Sequence, residues 1–251
     1  MLRIRKEQNE ELGKIALKRF EDSMVEHIKE FFPKYYEIHE EPLIRKVILY
    51  AVDRAESYDL ITERDVCLYI NLVFLLGSNF DTDPQLPWAA ETLNDETITD
   101  SVTRIDTLYD KAMEYLDHVA GVDNEYLGRA LLRIREIYGR ELTQPPVENL
   151  ENHVAMRLKE VWPHKYRRAG EQTINSLVRH GIASAKQYNI TGQHGLTVYI
   201  ELMFMLGSGF DKDPQFPWAA KVLNDESMPN RITKVDQLHE ETMAFLEKWL
   251  A

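Results

Sequence analysis

Residues 77–96 read GSNFDTDPQLPWAAETLNDE, and residues 207–226 read GSGFDKDPQFPWAAKVLNDE. The stretches lie 130 residues apart and differ at Asn79/Gly209, Thr82/Lys212, Leu86/Phe216, Glu91/Lys221 and Thr92/Val222, so 15 of 20 positions agree. The offset continues upstream without a gap, where residues 20–76 align with 150–206 and 14 of 57 positions agree. Glu30, Pro33, Tyr58, Leu72 and Phe74 fall on Glu160, Pro163, Tyr188, Leu202 and Phe204. Downstream, Thr103, Asp106, Leu108, Met113 and Leu116 fall on Thr233, Asp236, Leu238, Met243 and Leu246. The chain therefore reads as an N-terminal helical extension (1–19), a helical module (20–121), a helical bridge (122–149) and a second helical module (150–251). Two copies fit a pseudo-symmetric pair better than a solenoid, which needs three or more repeats.

The spacing of apolar residues predicts an all-α fold. In residues 41–58, Leu43, Val47, Ala51 and Ala55 recur every four positions, with Ile44 and Ile48 widening the stripe. Ile174, Leu177, Val178, Ile182 and Ala185 repeat that pattern in the second module. The run LYINLVFLL (68–76) competes as a strand, but Thr62 with Asp65 three residues on supplies a helix N-cap, and Gly77 supplies a stop. Residues 5–31, 103–119 and 126–142 also read as helices, the last ending before Thr143-Gln-Pro-Pro146, a breaker at which the modules could hinge. The first fifteen residues of the N-terminal helix have no counterpart, so they pack across the seam between modules or form a solvated arm.

The helices have diverged while the loop has not, so the candidate functional residues are in the loop: Phe80, Asp81, Asp83, Gln85 and Trp88, with Phe210, Asp211, Asp213, Gln215 and Trp218. Two roles suit them. In the structural role, Phe and Trp plug the module cores, the aspartates accept backbone N–H groups, and Pro87 starts a short helix. In the partner-binding role, exposed aromatics and paired carboxylates form an interface hot spot with a charged rim. A calcium loop is disfavoured. Counting from Asp81, the sixth position is Leu86 where glycine is required, and the twelfth is Thr92 where glutamate is required. No metal or cofactor is expected.

Nothing in the pattern nominates a catalyst. None of the eight histidines recurs at the offset, and no H-x-x-x-H, P-loop, G-x-G-x-x-G or G-x-S-x-G motif occurs. Cys67, the single cysteine, sits in an apolar run and reads as an inert buried thiol. The aromatics flanking the Pro33 and Pro163 turns, Tyr35, Tyr36, Trp162 and Tyr166, read as core filling ahead of a ligand groove. A formal charge of −12 argues against general nucleic-acid binding and suits a basic protein partner. The start MLRIRKEQNEELGK lacks the apolar core of a secretory leader, and no apolar run is long enough to span a bilayer. The expectation is a cytoplasmic protein off the membrane.

The string F-D-x-D-P-Q-x-P-W-A, preceded by LYINLVFLLG, resembles a group of small helical bacterial proteins similar to immunity or accessory proteins encoded beside type VI secretion effectors. The resemblance implies a protein-binding role, with a toxin as partner or, as an alternative, an effector to be loaded for secretion. An acidic inhibitor would suit a basic toxin such as a nuclease. It brings no catalytic residues to carry over. An enzyme with a carboxylate-rich helical site is the remaining alternative.

Overall fold

The structure, a computed structural model, describes residues 6–138, 149–227 and 231–250. Among them every regular element is a helix. Helix α1 (Lys6–Phe31) is followed by α2 (Pro33–Ile38), α3 (Glu41–Glu56), α4 (Glu63–Leu76), α5 (Pro87–Leu93) and α6 (Ser101–Ala120). Helix α7 (Glu125–Tyr138) leads to the second set, α8 (Leu150–Val161), α9 (Pro163–Gln187), α10 (Gln193–Leu206), α11 (Pro217–Leu223) and α12 (Arg231–Leu250). The segment Thr143–Pro146 and its expected hinge lie outside the described residues.

Local chemistry sets the helix ends. Thr62 Oγ1 accepts the Asp65 N–H at the start of α4, and Asp100 does the same for Thr103 at the start of α6. Proline occupies the first turn of α2, α3, α5, α9 and α11, where its missing N–H costs nothing. Gly77 and Gly207 end α4 and α10 at φ +99° and +106°, values that a Cβ-bearing residue rarely adopts. Gly170, at φ +79°, bends α9 at the point where the first module instead breaks between α2 and α3.

The apolar residues gather in two clusters. One runs from Met24 to Tyr115 and has Tyr69, Phe74 and Phe80 at its centre. The other runs from Ala130 to Leu246 around Tyr199, Phe204 and Phe210, and includes Ala130, Leu131 and Ile134 of α7. The bridge helix is thus part of the second core. Across the seam, α6 packs on α9 and α2 on α12, where Tyr35 and Trp249 meet edge to face at 4.6 Å. Residues 13–19 of α1 are exposed, and the side chains before them lie outside the described residues.

Candidate functional site

The two repeated loops meet, and each is bonded to the other. Asp213 accepts the backbone N–H of Ser78 at 2.8 Å and its hydroxyl at 2.5 Å. Asp83 accepts the same two groups of Ser208 at 2.8 and 2.6 Å. The Gln85 amide donates to Met203 O (2.8 Å) and Ser208 Oγ (3.1 Å), and that of Gln215 to Val73 O (3.0 Å) and Ser78 Oγ (3.1 Å). Every bond in one set has its counterpart in the other at an offset of 130. Asp83 and Asp213 also accept the N–H of the glutamine two residues on, both at 2.8 Å, as an Asx-turn requires. Burial pushes the Asp213 carboxyl above its usual range, against the pull of the Ser78 and Gln215 donors.

The other loop residues face their own cores. Phe80 and Phe210 are almost fully buried, 5.1 Å from the rings of Tyr69 and Tyr199 respectively. Asp81 Oδ2 accepts Tyr69 (2.8 Å), Tyr58 (3.0 Å) and Arg54 Nε (3.0 Å). Burial, with Asp81 beside it, pushes the Tyr58 phenol up to about 12. Asp211 accepts Tyr188 at 2.7 Å, while Ser184, which stands 130 residues after Arg54, bonds to Tyr199 at 2.9 Å. Trp88 and Trp218 are half-buried, each 5.9 Å from an aromatic ring of the C-terminal helix of its own set, Tyr115 and Phe245. Eight of the ten candidate residues are therefore buried and engaged inside the chain. Only the tryptophans keep an exposed edge.

Above the paired loops lies a cleft of about 490 Å³. Its walls are supplied in pairs separated by 130 residues: Phe32 and Trp162, Leu76 and Leu206, Leu86 and Phe216, Tyr115 and Phe245, Leu116 and Leu246, Val119 and Trp249. Leu127 and Leu131 of α7, which have no counterpart, close one side. Its polar lining includes Asp83, Gln85 and Gln215 from the loops, and Lys165. From sequence, Tyr35, Tyr36, Trp162 and Tyr166 after and beside the proline turns read as core filling ahead of a ligand groove. Of those four aromatics, Tyr35 and Trp162 stand in the cleft wall, beside Phe32, and Tyr36 and Tyr166 do not. Lys165 is not among the candidates that the sequence nominates, although at the 130-residue offset it stands where Tyr35 does, and a charge in place of an aromatic after the proline turn is the signal for it. Ser78 and Ser208 are not candidates by residue type either, although both stretches carry them.

A second open pocket holds the group most like a catalyst. Cys67 Sγ lies 4.0 Å from His27 Nε2, and Asn71 Oδ1 lies 2.9 Å from the same nitrogen. A nucleophile relay needs the thiol on one ring nitrogen and the orienting group on the other. Here both compete for Nε2, and burial pushes the thiol up, away from thiolate. The arrangement suits a structural hydrogen bond. Among the described residues, no group of three or more His, Cys, Asp or Glu side chains could hold a metal ion, and no helix is long and apolar enough to cross a membrane.

Comparison with known proteins adds no relative: no protein-family model, curated protein or solved structure matches the chain.

Proposed function

We propose that this chain is a protein-binding protein whose partner docks over the cleft between the two helical modules. The observation that carries the reading is the cleft itself. It is concave and mostly apolar, holds few polar groups, and its size falls in the range of about 300–1,000 Å³ usual for binding pockets. Phe31, on its edge, is 62% exposed and offers an apolar contact at the mouth. The helices that wall it, α6 and α12, carry exposed carboxylates on another face, including Asp110, Glu114 and Asp117 and then Glu240 and Glu247. An apolar cleft on a chain of formal charge −12 fits a basic partner that inserts apolar side chains.

The concrete form of this reading is a bacterial immunity protein that neutralises a secreted toxin acting in the cytoplasm. The F-D-x-D-P-Q-x-P-W-A resemblance and the charge of −12 support it. The paired cleft walls and reciprocal loop bonds also support a duplicated module, a single chain built like a dimer of one ancestor.

The test is inhibition. One equivalent of the purified chain should abolish the activity of a toxin encoded beside its gene, and Phe31→Glu should weaken that inhibition at least ten-fold. Tight binding that leaves the toxin active would identify a loading adaptor instead. Full inhibition by Phe31→Glu would move the interface away from the cleft.

A further inference from the structure

Lys165 lines the cleft, together with two other charged side chains, Lys34 and Asp83. Lys165 donates from its ammonium to the backbone carbonyl of Phe204, and the nitrogen lies 4.9 Å from the centre of the Phe204 ring. An ammonium has three N–H donors, so one carbonyl leaves most of its capacity unused. Capping the end of α10 is the simplest role for it. Yet α4, the helix at the same place in the first module, ends in the same way with Tyr35 at the corresponding position. The fold does not need a cation there.

The electrostatics point the same way. The cleft is apolar enough that burial pushes the Lys165 ammonium down to about 8. Asp83 is near enough for its field to oppose that shift, but its oxygens are held by Ser208 and the Gln85 N–H. A carboxylate in contact would offset the desolvation of the ammonium and take up its spare donors. The loop amides of Gln85 and Gln215 are committed to backbone carbonyls and serines. A peptide strand entering here would bring N–H and C=O groups needing partners, whereas an alkyl chain brings none.

We propose that the buried end of the cleft receives a linear aliphatic carboxylic acid, with its carboxylate on the Lys165 ammonium and its alkyl chain among Trp162, Phe216 and Phe245. This rests on the cleft being a binding site and names the chemistry of its interior. The mouth near Phe31 remains for the partner protein.

The experiment is calorimetric titration of the full chain at pH 7 with dodecanoate and with dodecanol, below their aggregation limits. Dodecanoate should bind one to one and at least ten-fold more tightly than dodecanol. Lys165→Tyr, which installs the residue of the first module, and Lys165→Met should erase that preference while dodecanol binding persists, with circular dichroism confirming the fold. Equal affinities in the parent chain, or a preference that survives both substitutions, would overturn the carboxylate assignment and leave the cleft as an apolar site. Binding of neither probe would overturn the assignment, while docking of a protein over the mouth stands or falls on the inhibition test with Phe31→Glu.

Discussion

The carboxylate of Asp213 takes both hydrogens that Ser78 offers, across 135 residues of chain, and Asp83 does the same for Ser208 across 125. All four residues are buried. Each aspartate sits next to the C-terminal end of a helix from the other set, so the bonds hold the two cores together as well as shaping the loops. Removing an acceptor would strand a buried N–H and a buried hydroxyl.

Asp213→Ala and Asp83→Ala should therefore each lower stability by about 3–5 kcal/mol, the sum of lost charge-assisted bonds and unsatisfied donors. The double variant should lose less than the sum, because the first substitution already loosens the seam the second would break. Urea unfolding of the three variants reads this directly. An unchanged midpoint in either single variant would remove the reciprocal bonds from the account of the seam.

Glycine substitutions should split by sign. A Cβ on Gly77 would stand 3.1 Å from the Leu206 carbonyl oxygen, and one on Gly207 would stand 3.4 Å from Asp83 Oδ2, both at positive φ. Alanine at either position should cost about 1–3 kcal/mol from backbone strain, with Gly77 the worse because a backbone oxygen cannot swing aside. Gly128, inside α7 with open space around it, makes the opposite case. Gly128→Ala should raise stability by up to about 1 kcal/mol through helix propensity. Melting curves of the three variants separate strain from any general intolerance to substitution.

Elements with local signals were legible in the sequence. The four-residue spacing of Leu43, Val47, Ala51 and Ala55 gave α3, and the Thr62 cap with the Gly77 stop bounded α4 within a residue. Phe80 as a core plug and Pro87 as a helix start follow from residue type alone. What could not be read was which donor each loop aspartate would meet. The Asx-turn N–H lies two residues away, but Ser78 and Ser208 lie more than a hundred residues from their acceptors, and sequence spacing carries no information at that range. The cleft was hidden for the same reason, since each wall residue reads as core until two modules face each other. Phe31 shows the converse, an apolar residue at the end of α1 that the packing leaves 62% exposed.

The two sets of helices hold different polar contacts at one matched pair of positions. In the first, His27 Nε2 meets Asn71 Oδ1 at 2.9 Å. At the same offset in the second, Arg157 Nε meets Glu201 Oε1 at 2.7 Å, with both residues buried. The same two positions at the 130-residue offset thus hold a His–Asn hydrogen bond in one set and an Arg–Glu ion pair in the other. Breaking a buried ion pair at one end leaves a charge in low dielectric, so Arg157→Met alone should cost about 3–5 kcal/mol. Arg157→Met with Glu201→Met should recover most of that loss, because well-packed apolar residues often replace such pairs with little change. A double variant as unstable as the single one would show that the pair is needed as such, a result that urea midpoints of the set decide.

The seam between α2 and α12 should respond to acid through His39. This histidine is 8% exposed, and its Nε2 is buried without a hydrogen-bond partner. The rings of Tyr35 and Phe245 lie 6.2 and 6.3 Å away, and Lys248 adds a like charge. Burial, then Lys248, pushes its pKa from 6.5 down to about 4. Between those values the unfolded chain binds a proton that the folded chain refuses, so stability rises with pH through the window and falls as pH drops through it. The contribution is complete above pH 6.5, is lost progressively toward pH 4, and amounts to at most about 3 kcal/mol. His39→Leu removes the titrating group and fills the site with apolar atoms, so urea unfolding at pH 7.5, 6.5, 5.5 and 4.5 should show a shallower decline than in the parent chain. Parallel declines in the two proteins would assign the acid sensitivity to other groups and leave the seam indifferent to His39.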